Sequence, residues 1–322
     1  MPISSQVIKE RILVTGANGF IGCHLCPYLK AKGFIVRSAV RGDGNDLNDV
    51  NESSVVGDIN SATDWQQALI GVDIVIHLAA RVHVMYETTE DSLELFRKVN
   101  VLGTAHLARM AAKAKVKRFI FISSVKVNGE GATRPYTETD TPKPDDAYGI
   151  SKREAEEALT GIAAQEGLEV VILRLPLVYG PGVKANFRSL IKLAGAGLPL
   201  PLASIRNQRS LVYVGNVVDA IYACATNSSA VNQTFLVSDG ADVSTPALLA
   251  TIARALKKNL LLFPCPPGFL KVMCNLIGKG HEIDKLTGSL CVDTAKIRNL
   301  LAWKPPFSIQ EGMTKTIEGS PK

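Results

Sequence analysis

The strongest constraint on the fold is a glycine-rich turn that lies between a short apolar run and an amphipathic segment. The run Arg11–Thr15 predicts a buried strand, and it continues directly into Gly16-Ala17-Asn18-Gly19-Phe20-Ile21-Gly22. Residues 21–32 predict the helix that follows, and Gly33 ends it. In such a turn the first glycine permits a tight bend, the second lets the backbone approach a phosphate, and the third allows close helix packing.

The amino terminus of a helix offers free N–H donors and the positive end of the helix dipole, and both favour a phosphate group. Because the turn joins a strand directly to a helix, we predict that it binds the pyrophosphate of a dinucleotide. The residues expected to contact this cofactor are Gly16, Gly19, Phe20, Ile21 and Gly22.

Short apolar runs alternate with amphipathic stretches from residue 11 to residue 175, which is typical of βαβ units around a parallel sheet. After Pro176, prolines divide the chain into shorter elements. We predict an α/β fold with a parallel sheet in residues 1–175. Residues 176–322 should form a smaller carboxyl-terminal lobe, with 234–237 returning to the sheet. The predicted strands are 11–15, 34–39, 54–57, 74–78, 119–122 and 170–173. The predicted long helices are 93–113 and 148–165.

Charge and composition are those of an ordinary globular chain. The 322 residues are 46% hydrophobic, and 36 Lys+Arg against 30 Asp+Glu leave a net charge of +6. The densest basic run, Lys113, Lys115, Lys117 and Arg118, falls at a predicted helix end, where cations oppose the dipole. We therefore interpret it as a solvated helix terminus and expect no nucleic-acid partner. The mild positive charge suits dinucleotides and sugar nucleotides.

The cysteines and the hydropathy pattern indicate neither a metal site nor a membrane span. Six cysteines are scattered along the chain, and the closest pair, Cys23 and Cys26, lies within the first predicted helix without a second pair at zinc-site spacing. We expect buried thiols and no bound metal. No run approaches the roughly 18 apolar residues of a membrane helix, and the amino terminus has no apolar signal region. A cytoplasmic location is the expectation.

Tyr148 and Lys152 are candidates for proton transfer. They lie four residues apart in a predicted helix and therefore share one face. A neighbouring ammonium group stabilises phenolate and lowers the tyrosine pKa from its usual value of about 10. Tyr148 would then donate and accept a proton near neutral pH. Ser123 and Ser124 end the fifth strand and point to opposite faces, so only one of them can bind the reacting oxygen.

The end of the second strand bears on the type of cofactor. NAD sites usually place an acid there, whereas an arginine favours the 2′-phosphate of NADP. Here Arg37 and Arg41 share one side and no acid occurs until Asp43. NADP(H) is therefore slightly favoured over NAD(H). The alternative is that both arginines are solvated.

Further residues are expected along the path of the cofactor. Asp58 and Ile59 follow the third strand, where the carboxylate can accept from the adenine amino group. Small residues end the fourth strand, and Asn100 lies in a helix facing the site or, alternatively, on the surface. The complete set of these predicted cofactor contacts is Arg41, Asp58, Ile59, Leu78, Ala79, Ala80, Asn100, Tyr148 and Lys152.

In combination these motifs resemble the extended short-chain dehydrogenase/reductases of the NAD-dependent epimerase/dehydratase family. The resemblance covers almost the whole chain and rests on residues 15–22, 119–124, 148–152, 173–182, 209–214 and 303–305. It implies a Rossmann-type doubly wound parallel sheet in residues 1–175 and a smaller, mainly substrate-binding lobe in residues 176–322. It further implies a UDP-sugar substrate and a homodimer. It also implies that Ser124, Tyr148 and Lys152 are the catalytic serine, acid/base and pKa-lowering lysine, and that Arg209 and Asn186 bind the substrate diphosphate.

Departures from the family pattern bear on the activity. Leu177 replaces an asparagine common in nucleotide-sugar members, and Lys126 and Asn128 replace a threonine and a tyrosine. Dehydratases carry Asp-Glu near the Val125-Lys126 pair, so 4,6-dehydration is not expected.

Four possible functions are weighed on these residues. The first is NAD(P)H-dependent reduction at C4 of a UDP-4-keto-6-deoxy-N-acetylhexosamine in surface polysaccharide precursor synthesis. The second is 4-epimerisation of UDP-glucose or UDP-N-acetylglucosamine. A non-catalytic dinucleotide sensor is disfavoured because Tyr148 and Lys152 are both present, and a steroid- or flavonoid-type alcohol dehydrogenase because of Arg209.

Overall fold

The computed structural model describes residues 9–42, 50–82, 89–131, 134–276 and 280–319. The chain divides into two compact units. The first comprises Met1–Val127, Pro144–Arg174 and Ile221–Phe235, and the second comprises Asn128–Lys143, Leu175–Ala220 and Leu236–Lys322.

A seven-stranded sheet forms the centre of the first unit. Its strands in chain order are β1 (Arg11–Thr15), β2 (Ile35–Val40), β3 (Glu52–Val55), β4 (Ile74–His77), β5 (Arg118–Ser124), β6 (Glu169–Leu175) and, after two strands of the second unit, β9 (Thr234–Leu236). The spatial order is β3-β2-β1-β4-β5-β6-β9, and the four pairs from β3 to β5 are parallel. The strand order reverses at β1, so the carboxyl ends of β1 and β4 flank the crevice where doubly wound folds bind ligands.

Helices cover this sheet and complete its apolar core. They are α1 (Gly22–Ala31), α2 (Gln66–Leu69), α3 (Thr89–Phe96), α4 (Thr104–Lys113) and α5 (Ala147–Glu166). One buried cluster joins Phe119 and Phe121 of β5 to Leu107 of α4 and Leu159 of α5. The predicted Rossmann-type α/β fold is confirmed, including the return of a late segment to the sheet as β9.

Two predicted elements differ from the structure. The helix predicted at 93–113 is divided, because a π-helical segment (Arg97–Gly103) separates α3 from α4. The buried side chain of Asn100, which binds backbone outside the helix, lies within these wider turns. The third strand ends earlier than predicted, since Gly57 has φ +69° and takes the chain out of the extended conformation.

Arg118 corrects the interpretation of the basic run as a solvated helix terminus. Lys113, Lys115 and Lys117 are exposed, but Arg118 begins β5 and is buried. Its guanidinium pairs with Glu169 at 2.7 Å. It also donates to the carbonyls of Cys224, Ala225 and Asn227 at 2.8–3.0 Å. These carbonyls end helix α7 (Val214–Thr226), whose negative terminus a cation stabilises.

The second unit contains a three-stranded sheet and a set of shorter helices. Its strands are β7 (Leu177–Tyr179), β8 (Arg209–Tyr213) and β10 (Asp242–Val243), in the spatial order β10-β8-β7. Its further helices are α6 (Ala185–Gly195), α8 (Thr245–Ala255), α9 (Pro267–Leu276), α10 (Gly280–Thr287), α11 (Ala295–Leu301) and α12 (Ile309–Glu318). Throughout the described ranges, no helix has the length and apolarity needed to cross a bilayer.

The cysteines only partly match the expectation of buried thiols. Cys26 and Cys224 are buried, whereas Cys23 is exposed and Cys265 and Cys291 are partly exposed. Cys23 lies on the outer side of α1, because a helix cannot bury positions on opposite faces against one sheet.

Candidate active site

The glycine turn after β1 leaves no room for a side chain at its first and last glycines. Gly16 has φ +68°, and a Cβ placed there would lie 2.9 Å from the amide nitrogen of Ala79. A Cβ at Gly22 would overlap the carbonyl oxygens of Gly16 and Ala17. The turn is closed by the N–H of Gly19, which donates to the Gly16 carbonyl at 2.9 Å. Only glycine fits the first and last of these positions.

The amino terminus of α1 suits an anionic ligand. No side chain caps this helix, and its first turn contains no acidic residue. Phe20 and Ile21 lie in the turn just before it, and Phe20 contacts His24 edge-on. The uncapped N–H groups and the glycine cradle therefore fit the pyrophosphate of a dinucleotide, as the sequence predicts.

The structure corrects the expectation that Arg37 of β2 could face the adenosine ribose of the cofactor. Arg37 is paired with Glu52 on β3, with Nε donating at 2.7 Å, and its Nη1 donates to the carbonyls of Ala68 and Ile70 at 2.9 Å each. Arg37 therefore cannot face a ribose. Its position in the middle of β2, directly opposite Glu52, explains this pairing.

Arg41, by contrast, remains near the end of β2 and is exposed. Its Nε lies 3.7 Å from a carboxylate oxygen of Asp58, which is also exposed. The carbonyl of Asp58 accepts from Thr63 and Asn60, whereas the side chain of Ile59 packs on the core. The structure therefore brings Arg41 and Asp58 together.

Small residues lie where β4 ends, next to the glycine turn. The N–H of Leu78 donates to the Thr15 carbonyl at 3.3 Å, and the N–H of Ala79 donates to the Thr15 hydroxyl at 3.2 Å. Ala80 follows in the same partly exposed segment. These contacts place Leu78, Ala79 and Ala80 at the switch point of the sheet, as expected for residues beside a cofactor.

Asn100 is buried, and the alternative that it lies on the surface is wrong. Its Oδ1 accepts from the Arg81 N–H at 2.8 Å, and its Nδ2 donates to the Arg81 carbonyl at 3.0 Å. The same Nδ2 donates to the Ser151 hydroxyl at 3.0 Å. Asn100 thereby connects the segment after β4 to α5, next to Lys152.

The two serines at the end of β5 have different environments. Ser123 is buried and donates to Glu156 at 2.5 Å. Ser124 is partly exposed, and its hydroxyl oxygen accepts from the Lys126 N–H at 3.2 Å. Of the two serines, Ser124 is therefore the one whose hydroxyl is accessible to a reacting group.

Glu156 is a site-supporting residue that sequence reasoning missed. It lies one helical turn after Lys152 on α5 and forms a buried pair with Arg174 of β6, at 2.6 Å. The only available signal was its four-residue spacing from Lys152, which does not reveal partners on β5 and β6. Through Arg174 and through the hydroxyl of Ser123, Glu156 joins the helix that carries Tyr148 and Lys152 to strands β6 and β5.

Lys152 is buried beneath Tyr148. Its Nζ donates to the Ile122 carbonyl at 2.8 Å, and it lies 4.3 Å from the centroid of the Phe121 ring and 5.9 Å from that of Tyr148. Burial lowers the pKa of Lys152 to about 7. The spacing of the two residues thus places them together, as predicted from the sequence.

The pKa of Tyr148 differs from the sequence expectation. Burial raises it above its usual value, and the negative charge of Asp146 raises it further. The predicted lowering by Lys152 is wrong for this structure, because the ammonium is directed at the Ile122 carbonyl and is itself easily deprotonated. The ring of Tyr148 contacts Phe96 edge-on, with centroids 6.1 Å apart.

Lys126 and Asp146 join the turn after β5 to the start of α5. Asp146 caps the helix by accepting from the Gly149 N–H at 2.7 Å, and its other carboxylate oxygen pairs with Lys126. The backbones also meet here, since a Cβ at Gly149 would lie 2.8 Å from the Lys126 carbonyl oxygen. A cation therefore stands beside the carboxylate that raises the pKa of Tyr148.

The predicted diphosphate-binding residues belong to the second unit. Arg209 begins β8, is partly buried, and donates to the Gly288 carbonyl at 3.4 Å. Burial lowers the pKa of Arg209. Asn186 falls in α6, but its side chain lies outside the part of the chain that the structure describes.

Comparisons with known proteins agree with this geometry. The family model "NAD dependent epimerase/dehydratase family" matches residues 12–238. A UDP-glucose 4-epimerase from Vibrio cholerae is 47% identical over 322 residues, which cover 99% of this chain and 98% of the relative. An N-acetyl-alpha-D-glucosaminyl-diphospho-ditrans,octacis-undecaprenol 4-epimerase from Escherichia coli O157:H7 is 26% identical, with 97% and 95% covered.

Solved structures show the same likeness. MoeE5, in complex with UDP-glucuronic acid and NAD, superimposes with a TM-score of 0.76 at 26% identity, covering 96% of this chain and 98% of the other. With the family model spanning well over half of the sequence, the resemblance inferred from the motifs is confirmed. The chain belongs to the NAD-dependent epimerase/dehydratase family and is an extended short-chain dehydrogenase/reductase.

Proposed function

We propose that the protein is an NAD-dependent 4-epimerase of a UDP-linked hexose. The observation that carries this proposal is the 47% identity to a UDP-glucose 4-epimerase across 99% of the chain. The sequence alone favoured reduction of a 4-keto sugar. We now place epimerisation first because the likeness extends over both units and is not confined to the glycine turn.

We assign the proton transfers to residues of the first unit. Tyr148 would remove the proton from the C4 hydroxyl and return it, and Ser124 would donate a hydrogen bond to the same oxygen. Lys152 would bind the nicotinamide ribose and hold Tyr148 in place. NAD, held by the glycine turn and by Lys152, would supply a reversible hydride acceptor for C4 of the sugar. Arg209 and Asn186 are proposed to hold the diphosphate.

NAD is the proposed cofactor, in place of the slight preference for NADP. Arg37 is fully engaged by Glu52 and backbone carbonyls and therefore does not bind a 2′-phosphate. Arg41 lies beside the carboxylate of Asp58, which would repel a second anionic group.

Reduction of a UDP-4-keto-6-deoxy-N-acetylhexosamine is the second candidate. It is favoured by the exposed Arg41 near the end of β2, where NAD-selective proteins usually place an acid. The role in surface polysaccharide precursor synthesis, the cytoplasmic location, the homodimer and the domain boundary near residue 175 also stand as proposals.

The experiment that separates the two candidates supplies substrate without added cofactor. Purified protein should convert UDP-glucose or UDP-N-acetylglucosamine to its C4 epimer. The conversion is measured by proton NMR of the anomeric signal. Epimerisation returns the hydride within each turnover, so no net NADH should accumulate. If neither UDP-sugar is converted to its C4 epimer and the 4-keto substrate oxidises NADPH, the reductase replaces the epimerase as the proposed function.

The Lys126–Asp146 pair leads to a prediction about pH dependence. Lys126→Met removes the cation beside Asp146, so the carboxylate should raise the pKa of Tyr148 more strongly. We expect the limb of the kcat/KM profile assigned to Tyr148 to move to higher pH by about half a unit to one unit, and Lys126→Arg to restore it.

The matched control for this prediction is Arg153→Met. Arg153 lies on the same helix in an exposed pair with Glu157, four residues away. Its removal should leave the pH profile unchanged, because exposed pairs are weak and screened. An identical profile for Lys126→Met and the unsubstituted protein would contradict the influence assigned to Lys126.

A further inference from the structure

Five large apolar side chains of the second unit are exposed on neighbouring stretches of chain. They are 45–62% exposed, and they include two phenylalanines. The five residues are Leu198, Leu261, Phe263, Phe269 and Val272. None of them belongs to the candidate active site.

Backbone hydrogen bonds bring the first three of these residues together. The Leu200 N–H donates to the Leu261 carbonyl at 2.8 Å, and the Phe263 N–H donates to the Leu200 carbonyl at 3.0 Å. The segment that carries Leu198 therefore runs beside the segment that carries Leu261 and Phe263. Leu200 itself is buried, which anchors the pair of segments to the unit.

The remaining two residues follow directly along the chain. Only three residues, 264–266, separate Phe263 from the first residue of α9. Phe269 and Val272 lie three positions apart on α9 and so share its outer side, whereas Leu270 is buried. These residues, which are neighbours through backbone hydrogen bonds or along the chain, are what we call the basic apolar surface.

The stretch of chain that carries these residues contains cations and no acids, although α10, which packs against α9, contributes Asp284. From residue 243 to residue 281 there is no Asp or Glu, while Arg254, Lys257, Lys258, Lys271 and Lys279 all occur. Lys257 and Lys258 are exposed three or four residues before Leu261, and no ion pair of either is present among the described residues. Lys271 on α9 pairs with Asp284 at 2.9 Å.

We propose that the basic apolar surface docks on the anionic face of a lipid bilayer. Phe263 and Phe269 would enter the boundary between headgroups and acyl chains, and Lys257 and Lys258 would lie against anionic headgroups. Apolar and aromatic side chains flanked by lysine are the combination that interfacial membrane binding requires.

A protein partner is a poorer fit to the same surface. The buried centres of protein interfaces are depleted of lysine, whereas two exposed lysines closely precede the apolar residues in the chain here. The charge complementarity of an acid-free stretch of chain favours phosphatidylglycerol-like lipids. The inference depends only on this surface, so it is independent of the reaction proposed above.

Flotation of the full-length protein with vesicles tests the proposal. We expect the protein to float with phosphatidylcholine vesicles that contain phosphatidylglycerol, to do so much less with phosphatidylcholine alone, and to dissociate as salt rises. Phe263→Ser/Phe269→Ser and Lys257→Glu/Lys258→Glu should each lower the bound fraction at least about tenfold, as expected when apolar insertion and charge attraction act together.

Matched controls remove similar groups elsewhere. Leu300→Ser alters an exposed apolar residue of the second unit, and Lys113→Glu/Lys115→Glu alters exposed cations of the first unit. These controls should float normally, and all variants should keep their melting temperature and sugar-nucleotide activity. Equal flotation of the Phe263/Phe269 variant and the Leu300 control would overturn the proposal. So would an absence of vesicle binding accompanied by a change in oligomeric mass of that variant, which would assign the surface to contact between copies.

Discussion

Tyr148→Phe should lower kcat by about a thousandfold, within the range of roughly 10²–10⁴ that a general acid–base group contributes. The phenyl ring keeps the edge contact with Phe96, so the helix start should remain in place. Only the hydroxyl that we propose exchanges a proton with the sugar is lost. The measurement is kcat for C4 epimerisation, together with the dissociation constant of NAD, which should change little.

Tyr222→Phe is the control for this prediction. Tyr222 belongs to the same unit and contacts Tyr28 and Phe34 through its ring, away from the proposed site. Loss of its hydroxyl should leave kcat within about twofold, as expected for a surface substitution far from the chemistry. A Tyr148→Phe protein that retained near-normal kcat would remove Tyr148 from the reaction.

The largest expected loss of stability comes from Glu156→Ala. Glu156 and Arg174 are both buried, and Glu156 also accepts from Ser123 at 2.5 Å. Removing the carboxylate leaves the Arg174 guanidinium buried without its counter-ion, which costs about 3–5 kcal/mol. Urea denaturation should show this decrease in the free energy of unfolding.

The neighbouring residue offers a matched comparison. Glu157 lies next to Glu156 on α5 but pairs with Arg153 in solvent, so Glu157→Ala should cost about 1 kcal/mol or less. Replacing both partners, as in Glu156→Met/Arg174→Met, should recover much of the loss, because no charge is then left buried. Equal stability of Glu156→Ala and Glu157→Ala would show that the buried pair contributes little.

Local patterns in the sequence predicted the parts of the site that depend on short spacings. The glycine turn lies directly between β1 and α1, and Tyr148 and Lys152 fall on one face of α5, because both follow from the period of strand and helix. The order of the first strands follows from the rules for βαβ units, so the Rossmann-type sheet was also predictable.

Contacts between distant segments were not predictable in this way. The partners of Arg37, Arg118 and Glu156 lie on other strands and helices, and their identity depends on register. The raised pKa of Tyr148 depends on burial and on the charge of Asp146, and neither follows from the four-residue spacing to Lys152. Sequence spacing thus brought the proposed reacting groups together but did not predict their electrostatic environment.

Strand β9 is formed by residues that come late in the sequence, and this affects how a nascent chain can fold. This strand lies at the edge of the sheet next to β6, although its residues follow β6 by about sixty positions of sequence. Arg118 likewise finds its carbonyl acceptors only when residues 224–227 have been made. Until β9 and residues 224–227 have been synthesised, β6 is an unpaired edge strand. The Arg118 guanidinium also lacks its carbonyl acceptors until then. The first unit is therefore completed only after residue 236 has been made, and protection of that edge by a chaperone would matter most before then.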